Sequence, residues 1–144
     1  MAADFDKLMP AYAVQQAAAR LDRLGYELGR TNKSTDAEAV HDLRVSIRRF
    51  VSCLRLFGQY FPGKDAKKAR KRLREILQLA GAVRDRDIAV ELGQQAGLGA
   101  ESPLLEAWSK QRSQAARKLR SAVKRAVKND LSNKWRGRLK LDHR

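Results

Sequence analysis

What this chain of 144 residues lacks narrows its identity first. It has one cysteine, Cys53, so no internal disulfide can form, and one Cys with two His cannot assemble a zinc site. Cys53 sits in an apolar run, which fits a reducing compartment. Aromatic side chains make up only 6% of the residues, too few for a row of base-stacking platforms. No stretch approaches the ~20 uninterrupted apolar residues of a membrane span. The segment Met1 to Pro10 carries Asp4 and Asp6 and lacks the charged-then-apolar layout of a secretion signal, so a cytoplasmic protein is expected. Acids are also scarce, 16 against 31 Lys and Arg, which leaves a net charge of +15. A chain so unbalanced repels itself when compact and attracts polyanions.

What is present is helical periodicity. Apolar residues recur every three or four positions, while alternating strand patterns and hairpin dipeptides are missing, so the expected fold is an all-α antiparallel bundle of about four to five helices. A 43% hydrophobic share suffices for one core. The first helix is expected from about Pro10 to Arg30, with Tyr12, Ala13, Ala17, Leu21, Leu24 and Leu28 as its inner face. The second should start at a capping box of Thr35 and Glu38 and run to about Tyr60, where Phe61-Pro62-Gly63 breaks it. The third is expected over Lys64 to Leu79, packing Leu73, Ile76, Leu77 and Ala80. An interruption near Gly81 should separate it from a shorter helix, Val83 to Gln95. Ser102 before Pro103 reads as the cap of a last long helix reaching Asn129, with Leu104, Leu105, Trp108, Ala115, Leu119, Val123 and Ala126 inward. Residues 1–130 then form the bundle, and residues 131–144 are expected to be a basic tail, either frayed or docked on a partner.

The cations lie in stripes. At 100° per residue, His41, Arg44, Ser52, Arg48 and Arg55 share one band of the second helix, bordering the sector of Val40, Leu43, Ile47, Val51 and Leu54. Such a border predicts half-buried stems and ordered heads. Lys64, Lys67, Arg70, Lys71 and Arg74 form a second stripe, and Lys110, Arg117, Arg120, Lys124 and Lys128 a third. One run of Lys and Arg is ordinarily a solvated face. Three are harder to dismiss, because like charges three or four residues apart destabilise a helix by a few tenths of a kcal/mol per pair. Arg presents a planar fork to a tetrahedral oxyanion and Lys a mobile charge, so such rows suit a chain of phosphates. His41 adds a group whose charge changes near neutral pH. Arg84-Asp85-Arg86-Asp87 reads as an acid-favoured helix start rather than a metal or acid–base pair. The scattered acids offer no carboxylate cluster for a divalent metal, so no catalytic residue, cofactor or metal is expected.

Two blocks carry a family resemblance. His41-Asp42-Leu43-Arg44-Val45-Ser46-Ile47-Arg48-Arg49-Phe50, continuing to Leu54-Arg55-Leu56-Phe57, resembles the signature helix of the CHAD family. Leu79-Ala80-Gly81-Ala82-Val83-Arg84-Asp85-Arg86-Asp87-Ile88 resembles its later glycine and Arg-Asp-x-Asp segment. The resemblance implies a helical module that binds inorganic polyphosphate and has no catalytic activity. It implies binding roles for His41, Arg44, Arg48, Arg49, Arg55 and Arg84, while Lys67, Arg70, Lys71 and Arg74 are added from helical spacing. Val51 stands where family members often have a further cation. The resemblance extends to the first half of a domain usually twice this length, which implies that two copies pair as a homodimer. A location at polyphosphate granules would follow. A nucleic-acid-binding bundle is the alternative partner class, and a membrane is not expected.

Overall fold

Helices with one apolar stripe become stable when neighbours cover that stripe. The computed structural model, which describes residues 2–142 and side chains from Asp6 onward, contains five helices and no strand among the described residues. They are α1 (Ala2–Lys33), α2 (Ala37–Leu56), α3 (Gly63–Gln95), α4 (Pro103–Lys128) and α5 (Leu131–Arg138), with a 3₁₀ turn at Gly58–Tyr60 after α2. The first four form a closed ring in which α1 packs on α2, α2 on α3, α3 on α4 and α4 on α1. The backbones of α2 and α4 make no close approach among the described residues, so the two helices occupy opposite corners of the ring. The shared core holds Leu21, Leu24 and Leu28 of α1, Leu43, Ile47, Phe50 and Leu54 of α2, Leu73, Ile76 and Val83 of α3, and Leu119 and Val123 of α4. Each such side chain stabilises the fold by about 1.5–3 kcal/mol relative to exposure.

Several boundaries differ from those the local sequence predicts. Pro10 lies inside α1 rather than at its start. It is exposed, so the carbonyl freed by its missing N–H can reach water. Helix α1 also passes through Gly29 to Lys33, held by burial of Leu28 and Thr31. The cap of α2 is Asp36, not Thr35; its carboxylate accepts the Ala39 N–H at 2.8 Å. Helix α2 ends at Leu56 instead of reaching Tyr60. Gly81 does not interrupt α3, because a glycine in a helix costs only about 1 kcal/mol and Ala80 and Val83 beside it are fully buried. The Arg84–Asp87 segment is therefore mid-helix, not a helix start. Ser102 precedes α4 but makes no side-chain cap bond, and Leu104 and Tyr12, both expected inside, are 48% exposed.

The largest difference is at the C-terminal end. Residues 131–142 are not a frayed tail: Asp130 turns the chain in a left-handed conformation (φ 52°), and α5 with the turn after it brings Leu131, Trp135, Leu139 and Leu141 into the core. Gly25 of α1 permits this, since a Cβ there would lie 3.1 Å from Ser132. Four isolated apolar residues among cations carry little periodic signal, and only the ends of the bundle show where they fit.

Candidate anion-binding face

The register of α2 turns different cations toward different neighbours. Arg44 points along the flank that meets α3 and is half-buried, whereas His41, Arg48, Arg49 and Arg55 are exposed. Of the four cations in the border band, His41, Arg44, Arg48 and Arg55, only Arg44 is half-buried as that position predicts. Its environment is unusual. The Arg44 Nε is buried without a hydrogen-bond partner. Burial pushes the guanidinium below its ordinary proton affinity, and Arg48 and then Arg84 push it further in the same direction, with Asp85 opposing. Arg84 comes from α3 and is itself half-buried, so the α2/α3 seam gathers three guanidinium groups.

Two turns before Leu77 and four before Arg84, on the same flank of α3, lies half-buried Arg70. Lys67, Lys71 and Arg74 are exposed and spread outward from that flank. The structure therefore brings Arg44, Arg48 and Arg84 together and extends the row with Arg70, while His41 and Arg49 line the α1 side of α2 and Arg48 borders both sides. Among the described residues, none of the ten predicted residues forms an ion pair or a side-chain hydrogen bond.

The acids are engaged elsewhere. Glu27, 1% exposed, is met by Arg23 and Arg30 at 3.5 Å each. Arg30 also holds Asp42 at 2.5 Å and Glu38 at 3.7 Å; the Asp42 hydrogen bond is the main reason its proton affinity is raised. Asp87 takes Arg112 at 2.9 Å, and Arg112 donates a second bond to the Thr35 carbonyl at 2.5 Å. This makes the Arg-Asp-Arg-Asp segment a staple between α3, α4 and the α1–α2 turn. No group of three or more His, Cys, Asp or Glu comes together to hold a metal among the described residues.

The α4 stripe stands apart. Its helix is diagonal to α2, so Arg117, Arg120 and Lys124 border a shallow groove with Asn32 of α1 and do not join the α2/α3 row. Between α1 and α2 a cleft of about 630 Å³ is lined by Arg20, Arg23, Glu27, His41, Asp42 and Arg49 among others. Arg20 and Arg23 were not singled out by the sequence, though each immediately precedes the core position of Leu21 or Leu24, where a basic residue borders the apolar stripe. Burial raises the Cys53 thiol above its usual range, with nearby Arg20 acting in the opposite direction. No helix among the described residues is long and apolar enough to cross a membrane.

No curated protein and no solved structure matches the chain. The family model described as CHAD domain matches residues 15–144. That span includes the α2 and α3 cations and the buried C-terminal segment, and the chain belongs to the CHAD domain family.

Proposed function

We propose that the chain binds inorganic polyphosphate without turning it over, along the α2/α3 seam. The observation that carries this reading is Arg44: a guanidinium half out of water, with a buried Nε lacking an acceptor, between Arg48 and Arg84. A chain of phosphates along the seam would accept from the Nη groups that Arg44 leaves open to solvent and relieve the repulsion among the three cations. Arg55, Arg70, Lys67, Lys71 and Arg74 would extend the contact, and His41 and Arg49 would meet a chain crossing α2. Family membership supports the ligand class. Isothermal titration with long-chain polyphosphate tests the reading. Saturable binding that is lost in Arg44→Ala/Arg48→Ala/Arg84→Ala, with helicity intact, is expected; unchanged affinity moves the site elsewhere. Incubation of tripolyphosphate with magnesium or manganese should release no orthophosphate.

Nucleic acid is the rival polyanion, and the same net charge would attract it. Competition at fixed salt separates the two: polyphosphate should displace DNA or RNA far better than the reverse. We further propose that two copies pair. Ile88 and Leu92 continue the Arg84 flank of α3 and are 37% and 58% exposed, so a second copy covering them would set two seams around one phosphate chain. A monomer mass by light scattering at micromolar concentration would refute the pairing. A cytoplasmic location at polyphosphate granules follows from the ligand and is tested by imaging a fluorescent fusion.

A further inference from the structure

Polyphosphate has no apolar part, yet the groove between α1 and the end of α2 places guanidinium groups beside uncovered apolar surface. Its volume is about 370 Å³, within the range of small-molecule clefts. Arg20, Arg48 and Arg49 line it. None of them pairs with an acid among the described residues, and Arg20 donates to the Gln16 side chain at 2.6 Å and to the Gln16 carbonyl at 3.5 Å. The same groove is lined by Tyr12, Leu56 and Phe57. Leu56 is 77% exposed, the highest of the large apolar side chains described, and Tyr12 is 48% exposed. The Tyr12 and Phe57 rings meet edge to face with centroids 5.9 Å apart, which fixes the Tyr12 ring while leaving part of it open.

Forked donors next to an oriented aromatic ring suit a ligand whose phosphate chain is joined to a flat heterocycle. We infer that this groove binds a nucleoside polyphosphate, with its phosphates on Arg20, Arg48 and Arg49 and its base against Tyr12 and Leu56. The inference deepens the polyphosphate reading, because Arg48 and Arg49 belong to both; Arg20, Tyr12 and Leu56 belong to the groove alone. Arg44 and Arg84 do not line it. Stacking of one base on an aromatic side chain is worth about tenfold in affinity.

The test is titration of the full chain with ATP and, separately, with inorganic triphosphate at the same ionic strength, followed by long-chain polyphosphate. ATP should bind about tenfold more tightly than triphosphate, because only ATP can use the apolar lip. Tyr12→Ala and Leu56→Ser, each at an exposed position, should remove that advantage while leaving long-chain polyphosphate affinity within about twofold, and Arg20→Ala should weaken ATP most. Arg44→Ala should show the converse pattern. Equal affinity for ATP and triphosphate in the unaltered chain overturns the inference, as does an unaltered ATP advantage in both apolar variants. Absence of long-chain polyphosphate binding in the unaltered chain, with ATP binding kept, would instead defeat the seam as the polyphosphate site.

Discussion

Two half-buried arginines in neighbouring seams of the bundle meet opposite fates. At the α3/α4 seam Arg112 gives its Nε to Asp87 and a second N–H to the Thr35 carbonyl. At the α2/α3 seam Arg44 has a buried Nε with no acceptor and two arginines for company. A guanidinium is tolerated at a helix border for two reasons: it can staple secondary structure, or it can wait for an anion. The difference lies in where the few carboxylates fall. With acids outnumbered 16 to 31, the fold spends Asp87, Asp42 and Glu27 on structural arginines and leaves the α2/α3 row without them.

The comparison is broken or sharpened by substitution. The largest effect is expected for the triple change of Arg44, Arg48 and Arg84 to Ala. Removing three charge-assisted bonds of about 1.5–3 kcal/mol each should lower polyphosphate affinity by well over a hundredfold, measured by titration calorimetry. Next comes Arg112→Ala, which leaves Asp87 without its partner and should destabilise the fold by about 2 kcal/mol, seen as a lower midpoint in urea, with polyphosphate affinity unchanged. If Arg112→Ala weakened binding and spared stability, the staple reading would be wrong.

Arg44→Met should separate stability from binding. A group whose proton affinity is lower in the folded state than in the unfolded chain opposes folding while it is charged, and an arginine remains charged throughout the physiological range. The penalty is therefore present from acid to weakly alkaline pH and would lift only in strong base. Arg44→Met should stabilise the free protein by about 0.5–1 kcal/mol at most, read as an unchanged or slightly higher melting temperature, because solvent screens a half-exposed group. Added polyphosphate should raise the melting temperature of the parent chain more than that of the variant. The smallest effect is expected on the opposite corner. Changing Arg117, Lys124 and Lys128 to Gln should weaken polyphosphate binding by less than about threefold at 0.15 M salt, because these charges sit across the bundle and beyond the ~8 Å screening length.

Particular residues show how far the sequence could be read. The inner faces of α1 and α2 were legible because Leu21, Leu24 and Leu28, and Leu43, Ile47 and Leu54, repeat at helical spacing, and all six are buried. Thr35 and Gly81 misled because local cues compete with packing: the neighbouring Asp36 took the cap, and buried Ala80 and Val83 carried α3 through the glycine. The stripe on α2 was visible, but its division was not. Arg44 and Arg49 are five residues apart, about 140° around the helix, so one faces α3 and the other the α1 side.

Composition and periodicity alone determined an all-helical chain with far more base than acid and a cationic row on three helices. Those properties are local, set by residue chemistry and the 3.6-residue turn. Which rows would adjoin was decided only by tertiary structure, because adjacency depends on the order of helices around the ring. That order puts α3 beside α2 and α4 across from it, turns Arg44 toward Arg84, and folds residues 131–142 onto the core.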